Sequence, residues 1–386
     1  MAGSEQKAIQ HPDAPVLSAG PAQAEAGGLL TIDLAAIVAN WRLLAQRVAP
    51  AECAAVVKAD AYGCGLEPVT KKLADAGCRT FFVALLSEAR RVRLLGPKPR
   101  IFVLNGLVPG TASAFAEIDA CPVIGSVPEL QEWGAFVTAN GWRGGAALHV
   151  DTGMNRLGLT SEEAARLAQR AAASAGQLKL LMTHFACSEQ TGHPLNREQM
   201  QRFAELRTLF PGLPCSIANS SGIFWSAEAH ADMVRPGIAL YGGNPTPGQA
   251  NPMRNVVHLQ GRILRIREVP AGSSVGYGAS WTARRATRVA IIAAGYGDGY
   301  LRASDGPSLR EVVIAGRRCP LLGRVSMDLF AVDVTDTPAG EVSRGGFATL
   351  IGDGLDIDEV ARQAGTISYE MLTNLGRRYA RRYTGE

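Results

Sequence analysis

The chain has 386 residues, of which 47% are hydrophobic and 19% are charged, and its formal net charge is +4. This length exceeds one ordinary core and predicts two domains, while the composition is that of a globular protein. The small charge argues against nucleic-acid binding, because no basic stripe with interleaved aromatic residues accompanies it.

The cysteines, the histidines and the N-terminal segment argue against further classes of protein: disulfide-rich, metal-binding, secreted and membrane-spanning. The seven cysteines are odd in number and scattered, with no C-x-x-C pair, which indicates reduced thiols rather than disulfides or a zinc site. The six histidines show no metal-ligand spacing. Residues 1–28 lack an apolar core, so we expect a disordered tail rather than a signal peptide or membrane span. No other segment is long and apolar enough to cross a bilayer, and we expect a cytoplasmic protein.

Order is expected from about Leu29, with Asp33 capping a first amphipathic helix. Short apolar runs then alternate with helical patterns, one starting at the capping box of Thr160 and Glu163 and another at Asn196. The eight runs are Cys53–Lys58, Thr80–Leu85, Arg100–Asn105, Pro122–Gly125, Ala146–Asp151, Leu178–His184, Cys215–Asn219 and Met233–Leu240. Most are continuously apolar, as in buried parallel strands, and they predict a (β/α)8 TIM-like barrel. The alternative, a doubly wound sheet, lacks a G-x-G-x-x-G after its first strand.

The pattern changes after about Asn255 to alternating strands with frequent turns. The alternation shifts phase between Ile263 and Leu264, which predicts a β-bulge. Later strands are expected at Val289–Ala293, Val312–Ala315 and Leu329–Val334, and helices at Asp358–Ala364 and Tyr369–Tyr383. We therefore expect an α/β + β fold, with the barrel over residues 29–248 and a mainly antiparallel β C-terminal domain over 249–386. The last helix is expected to end in a dipole-complementing cluster, Arg377, Arg378, Arg381 and Arg382.

Polar residues gather just past the predicted barrel strands, where such barrels build active sites. A lysine after an apolar strand is partly desolvated, which favours the neutral amine that forms a Schiff base with a carbonyl. Taken alone, each of these polar residues could also have a purely structural role, as a lysine does when it reaches from a strand to solvent. Together they indicate a site for an anionic small molecule. They are Lys58, Tyr62, Arg156, His184, Asn219, Ser220 and Arg235.

The segment V-V-K-A-D-A-Y-G-C-G around Lys58 resembles the cofactor-lysine segment of alanine racemases. Further motifs match that family in order and spacing from about Leu29 to Tyr383. They are V-D-T-G-M-N-R-L-G, T-H-F, A-N-S, V-R-P-G-I-A-L-Y-G, V-G-Y-G-A-S-W, G-Y-G-D-G-Y, G-R-V-S-M-D and I-S-Y-E. The resemblance implies a barrel that binds pyridoxal 5′-phosphate (PLP) through Lys58, followed by a β domain. It also implies interconversion of L-alanine and D-alanine, supplying D-alanine for peptidoglycan.

The resemblance assigns the two bases that racemisation needs, one on each face of the α-carbon, to Lys58 and to Tyr277 of the partner subunit of a homodimer. A tyrosine titrates near 10, so a base at position 277 needs cationic or hydrogen-bonding neighbours, for which His184 and Arg235 are candidates. Arg235 is implied as the partner of the pyridine nitrogen, which an arginine leaves unprotonated. The implied cofactor-binding residues are Lys58, Tyr62, Arg156, His184, Ser220, Arg235, Gly237, Ile238 and Tyr369.

For the substrate carboxylate, the resemblance implies Arg156 and the backbone of Met327 from the partner chain. Arg324 and Asp328 are implied further out, along an entrance narrowed by tyrosines and suited to a small side chain such as that of alanine. One position departs from the family pattern. Many members carry a lysine there, whose carbamate orients the arginine, whereas this chain has His149, which cannot form that stable carbamate. What orients Arg156 is therefore open, with chloride or a neighbouring carboxylate as candidates.

Other functions stay open at this point. One is a racemase of serine or of a broader amino-acid range, which depends on the dimensions of the entrance. Another is a barrel-type PLP decarboxylase, whose cysteine-containing C-terminal signature we do not find. A third is a non-catalytic PLP-binding protein, which in its known form is a single barrel without the domain that bears Tyr277.

Overall fold

The computed structural model describes residues 20–96, 99–170, 178–302 and 310–385. Of the expected tail, residues 1–19 lie outside the described residues. Residues 20–27 form turns that lead into the first strand, and Ala26 is buried in a small cluster with Leu29 and Ala380. None of the described helices combines the length and apolar character that a membrane crossing requires.

Helices and strands alternate in the first two thirds of the chain, and strands dominate the last third. The helical segments are α1 (Leu34–Val48), α2 (Lys58–Tyr62), α3 (Leu66–Asp75), α4 (Leu86–Leu94), α5 (Ala112–Glu117), α6 (Val127–Asn140), α7 (Ser161–Arg170), α8 (Pro194–Arg207), α9 (Ser220–Trp225), α10 (Ile357–Gln363) and α11 (Ser368–Thr373). The strands of the first part are β1 (Gly28–Asp33), β2 (Glu52–Cys53), β3 (Ala55–Val56), β4 (Thr80–Val83), β5 (Arg100–Val103), β6 (Cys121–Ile124), β7 (Ala146–His149), β8 (Leu178–Met182), β9 (Cys215–Ser216) and β10 (Met233–Val234). Those of the second part are β11 (Val257–Val269), β12 (Ser274–Val275), β13 (Trp281–Thr282), β14 (Thr287–Ala293), β15 (Glu311–Ile314), β16 (Arg317–Leu322), β17 (Phe330–Asp333), β18 (Phe347–Ile351) and β19 (Ala380–Thr384).

The first sheet is a parallel barrel in the order β2-β10-β9-β8-β7-β6-β5-β4-β3. Its two ends, β2 and β3, are pieces of one segment: β2 pairs with β10, and β3 pairs with β4. The Ala54 amide between them donates to Val234 O at 3.0 Å, which helps close the ring. The predicted (β/α)8 barrel is confirmed, with its first strand divided in two.

The barrel strands are buried on both faces, as their continuously apolar sequences predict. Phe81 and Phe82 of β4 are fully buried, and Phe82 stacks on Phe102 of β5 with ring centroids 5.0 Å apart. This packed interior fixes the strand ends at which polar side chains emerge.

Two of the three predicted N-terminal helix caps are confirmed. Asp33 accepts a hydrogen bond from the Ala36 amide at 2.9 Å, and Thr160 and Glu163 exchange both bonds of a capping box. The expectation for Asn196 is wrong, because α8 starts two residues earlier. Asn196 is buried inside the helix, where its amide donates to the carbonyls of Cys187 and Gln190.

The second sheet is mainly antiparallel, as predicted, in the order β14-β17-β16-β15-β18-β11-β1-β19 with a further β11–β14 pairing. The β11–β14 register shifts between Ile263 and Arg265, which confirms the predicted bulge. The strand β1 pairs with β11 and β19, so this sheet takes residues from both ends of the chain. The second sheet and the helices α10 and α11 are called the second unit below. By its pairing Gly28–Asp33 belongs to this unit, although the expected domain boundary assigned residues from Leu29 to the barrel.

The predicted helix Tyr369–Tyr383 is wrong in its second half. The helix α11 ends at Thr373, and Ala380–Thr384 is a strand parallel to β1. Its arginines therefore cap no helix dipole. Arg378 pairs with Asp298 and Asp328, and Arg381 donates to Gly63 O at 2.6 Å. Pairing with a distant strand overrode the local helical pattern here.

Candidate active site

A cavity of about 850 Å³ opens at the C-terminal ends of the barrel strands. Part of its wall comes from residues 366–373 of the second unit. Many of the predicted site residues line this one cavity: Lys58, Tyr62, His149, Arg156, His184, Asn219, Ser220, Arg235, Gly237, Ile238 and Tyr369.

Lys58 follows β3 and begins a left-handed turn. Residues Ala59 to Tyr62 have φ between 53° and 55°, and no glycine is among them. This conformation costs about 1–2 kcal/mol for each such residue, so surrounding contacts must hold it. The turn ends at Gly63, whose amide donates to Ala59 O at 2.9 Å. Burial and the nearby Arg156 guanidinium lower the pKa of Lys58, while the Glu88 carboxylate raises it, and the net shift favours the neutral amine.

Arg235 is a buried cation without a carboxylate partner among the described residues. Its Nη2 donates to Thr183 O at 2.6 Å and lies 3.3 Å from His184 Nδ1, and its Nη1 donates to the Ser216 hydroxyl. Burial lowers the pKa of Arg235 to about 9, so the guanidinium stays charged at neutral pH. Burial and this guanidinium lower the pKa of His184 well below its usual value, which keeps the imidazole neutral.

A group of hydroxyls and backbone amides lies on another side of the cavity. The Gly237 amide donates to Ser220 Oγ at 3.0 Å, and the Ala239 amide donates to it at 3.3 Å. The Tyr62 ring stacks on Tyr241 with centroids 4.6 Å apart. A Cβ at position 237 would come within 2.2 Å of Tyr62 Oη, so any larger residue there would require the Tyr62 side chain to move. Hydroxyls and amides so placed suit an oxyanion such as a phosphate.

Arg156 projects from a loop organised by Asp151. The Asp151 carboxylate accepts hydrogen bonds from the amides of Gly153, Met154 and Asn155 at 2.8–3.2 Å. The Arg156 side chain itself donates no hydrogen bond to any part of the chain that the structure describes. His149, at the end of β7, is neutral at pH 7, because burial and Arg235 lower its pKa to about 4, and a neutral imidazole provides no negative charge to pair with Arg156. The cavity therefore presents an unpaired guanidinium beside a neutral imidazole.

The remaining predicted residues, Tyr277, Arg324, Met327 and Asp328, do not line this cavity. Tyr277 is 73% exposed in a short turn after β12, and Met327 is 53% exposed. The Met327 carbonyl accepts a hydrogen bond from the Gly297 amide at 2.9 Å, and Asp328 pairs with Arg378 at 2.8 Å. Tyr277, Met327 and Asp328 are thus exposed on the surface of the second unit, and Arg324 is half-buried.

Sequence reasoning missed some of the wall. Thr366, Ile367 and Glu370 line the cavity beside Tyr369, although only the tyrosine of the I-S-Y-E motif was singled out. Glu370 is the only acidic residue among the described residues that line the cavity, and it accepts a hydrogen bond from the Thr366 hydroxyl. The position of Tyr369 within that motif is the available signal, because Glu370 shares its helix, α11, and Thr366 and Ile367 lie immediately before that helix.

A parallel barrel with a lysine of lowered pKa, a buried arginine, and hydroxyls and amides grouped at its mouth is typical of an enzyme that acts on a small anionic molecule. Two family models together match most of the chain. The alanine racemase N-terminal domain matches residues 32–245, and the alanine racemase C-terminal domain matches residues 256–383. The chain therefore belongs to the alanine racemase family of isomerases.

Individual relatives agree with this assignment. The alanine racemase of Methylobacterium sp. (strain 4-46) is 54% identical over 357 residues, covering 92% of this chain and 98% of that protein. The crystal structure of alanine racemase from Bartonella henselae with covalently bound pyridoxal phosphate superposes with a TM-score of 0.87 at 37% identity, covering 93% of this chain and 99% of that one. The biosynthetic alanine racemase of Pseudomonas aeruginosa superposes with a TM-score of 0.86 at 36% identity, with the same coverage.

Proposed function

We propose that this chain is a cytoplasmic, PLP-dependent homodimer that interconverts L-alanine and D-alanine and supplies D-alanine for peptidoglycan. The observation that carries the proposal is the cavity in which Lys58, with a lowered pKa, meets the buried Arg235 and the amides around Gly237. We retain the proposed division into a barrel and a β domain near the loop Gly242–Asn255.

The residues present fit PLP. Its phosphate would be held by Tyr62, Ser220, Tyr369 and the amides of Gly237 and Ile238. The close approach at Gly237, which a Cβ would block, supports this cradle. Lys58 would anchor the aldehyde, because its pKa is lowered by burial and Arg156. When bound, PLP supplies the electron sink that makes an amino acid's α-proton removable.

Arg235 and His184 would hold the ring side of the site. A guanidinium donates hydrogen bonds without giving up its proton, so the ring nitrogen facing Arg235 would remain an acceptor. The 3.3 Å contact between Arg235 Nη2 and His184 Nδ1 supports the neutral tautomer with the proton on Nε2. This arrangement would limit the delocalisation of negative charge from the α-carbon into the PLP ring. It would thereby limit side reactions such as transamination.

Two side chains would move the proton. Lys58 Nζ would take or return it on one face of the α-carbon, and Tyr277 Oη of the partner subunit would do so on the other. The 73% exposure of Tyr277, away from its own chain's cavity, supports a role in the partner's site. In such a dimer each subunit would contribute its Tyr277 to the partner's site, so both active sites would contain residues of both subunits.

Arg156 and the Met327 backbone of the partner subunit would bind the substrate carboxylate. Arg324 and Asp328 would line the approach, and Tyr369 with Tyr277 of the partner subunit would narrow it. The ring of Tyr369 lies 6.0 Å from that of Tyr62, which supports a confined site for a short side chain.

The test is turnover in D₂O. The purified protein with PLP is given L-alanine, L-serine or L-lysine, and products are followed by chiral separation and by mass spectrometry of the α-deuterium. We expect D-alanine carrying solvent deuterium, with little product from the other two amino acids. A PLP absorbance band without exchange on any amino acid would contradict catalysis, and efficient serine or lysine turnover would contradict the alanine preference.

A further inference from the structure

Glu88 connects three loop amides at the barrel mouth. It is the third residue of α4, and its Oε2 accepts hydrogen bonds from the amides of Ala84 and Leu85 at 2.8 and 3.1 Å. Its Oε1 reaches across to the neighbouring strand's loop and accepts from the Ala59 amide at 2.7 Å. Both carboxylate oxygens are therefore used as acceptors, and one of them binds the residue directly after Lys58.

The same arrangement of hydrogen bonds occurs a second time, around Glu129 and away from Lys58. Glu129 is the third residue of α6, and its Oε2 accepts from the Gly125 amide and the Ser126 hydroxyl, both at 2.9 Å. Its Oε1 reaches to the loop of the preceding strand and accepts from the Leu107 amide at 2.8 Å. Both glutamates are half-buried, so they differ mainly in what the cross-strand bond holds.

What Glu88 holds is a strained turn. The left-handed conformation from Ala59 to Tyr62 is unfavourable without outside contacts. On its far side Asp60 accepts from the Leu66 amide at 3.1 Å and from Arg91 at 2.7 Å, and Arg91 also pairs with Glu67. On the side next to the lysine, the bond from Ala59 to Glu88 restrains the peptide.

We propose that Glu88 is a positioning residue for Lys58: by holding the Ala59 amide, it keeps the left-handed turn in place and so fixes the lysine amine in the cavity. This inference rests on the proposed function, in which Lys58 anchors PLP and moves a proton. Glu88 also adds a carboxylate to the surroundings of Lys58, where Arg156 is the other charged group that acts on the amine.

Two substitutions separate geometry from charge. Glu88→Asp keeps the charge and can still cap α4 locally, but it is one methylene too short to reach Ala59. Glu88→Gln keeps the length, but whichever way its amide turns, an NH₂ group faces a backbone N–H. The matched controls are Glu129→Asp and Glu129→Gln, which remove the equivalent contacts without touching the lysine turn.

The first measurement uses the protein without PLP. Acetic anhydride labelling across pH, read by peptide mass spectrometry, gives the midpoint and limiting rate of Lys58 acylation. We expect Glu88→Gln to lower the midpoint, because a neighbouring carboxylate raises the pKa of the amine. Glu88→Asp should change the limiting rate, and neither Glu129 variant should change either value.

The second measurement is steady-state racemisation of alanine. Both Glu88 variants should lose kcat by about tenfold to a hundredfold with little change in KM, because a small misplacement of a reacting group has effects of this size. Thermal stability should fall alike in the Glu88 and Glu129 variants. If Lys58 labelling and kcat in the Glu88 variants match those of the Glu129 variants, Glu88 is only a helix cap. Failure of the wild-type protein to racemise would contradict the proposed function, while Lys58 labelling would still decide the role of Glu88.

Discussion

At the scale of single residues, the cavity concentrates cations and keeps its histidines neutral. Lys58, Arg156 and Arg235 line it, while burial and these cations lower the pKa values of His149 and His184. A neutral imidazole adds no positive charge that would further weaken the basicity of the lysine. The site can therefore attract the carboxylate of an amino acid and still hold a lysine able to accept a proton.

The partner base is tested by Tyr277→Phe, which removes one hydroxyl from an exposed ring. We expect racemisation to fall by about 10²–10⁴-fold, because a general base is lost, while the PLP absorbance band stays. Tyr379→Phe is the matched control, since its buried hydroxyl has no hydrogen-bond partner among the described residues. Equal activity of the two variants would show that Tyr277 is not a base.

The unpaired state of Arg156 predicts a dependence on small anions. Exchanging chloride for gluconate at constant ionic strength should raise KM for alanine, because nothing in the described cavity orients the guanidinium while His149 is neutral. In His149→Lys, bicarbonate rather than chloride should restore a low KM, through the carbamate that the family resemblance implies. An unchanged KM without chloride would count against an anion beside Arg156.

His149 predicts a loss of stability in mild acid. Above about pH 6.5 it is neutral in both the folded and the unfolded chain. Below that, the unfolded chain binds a proton that folded His149 resists down to about pH 4, so the free energy of unfolding falls as the pH is lowered through this window. Urea unfolding of the PLP-free protein at pH 7 and pH 5 should show a smaller loss in His149→Gln. Equal losses would refute this contribution.

At the scale of elements, the loop bearing Met327 is held by a clamp. Arg378, just before β19, pairs with Asp298 at 3.0 Å and with Asp328 at 2.8 Å. Asp298 is buried and accepts a hydrogen bond from the Gly295 amide at 2.9 Å. Arg378 therefore links the turn that contains Asp298 to the turn that contains Asp328. An arginine near the far end of the chain therefore contacts the loop that bears Met327.

Arg378→Met should loosen this loop. We expect KM for alanine to rise several-fold with little change in the absorbance of bound PLP, since Lys58 is untouched. Arg285→Met is the control, because Arg285 forms a comparable exposed pair with Asp336 at 2.6 Å. If both variants have the KM of the wild type, the clamp does not influence substrate binding.

The elements that sequence predicted well are those whose pattern is local. Buried strands, the Asp33 cap and the bulge after Ile263 each leave a signature within a few residues. The left-handed turn does not, because it comprises four non-glycine residues, and the bonds that restrain it include those to the side chains of Glu88 and Arg91, distant in sequence. The strand β19 was missed for the same reason, since its pairing with β1 joins opposite ends of the chain.

The site was predictable to a similar extent. Barrel-mouth positions gave Lys58, Arg156 and Arg235 from strand ends alone, because parallel strands deliver their C-terminal residues to one face. Thr366 and Glu370 were not predicted, since they reach the cavity only through the packing of the second unit against the barrel. Tyr277 could be singled out only by family resemblance, and its role stays a prediction.

At the scale of the whole molecule, the second unit presents residues on two surfaces, one in the cavity and one exposed. Residues 366–373 contribute to the cavity of their own chain, whereas Tyr277 and Met327 point outward and are largely exposed. Such an arrangement suits a two-fold dimer, in which the same surface is used by both subunits and each completes the other's site. The homodimer with shared sites is thus the central claim of the proposed mechanism.

The most direct test is a heterodimer of Lys58→Ala and Tyr277→Phe, co-expressed with different tags and purified through both. Each variant should be inactive alone. In the heterodimer, one site combines Lys58 of one chain with Tyr277 of the other, so we expect about half of the wild-type dimer's activity. A heterodimer as inactive as its parents would contradict shared sites and place both bases within a single chain.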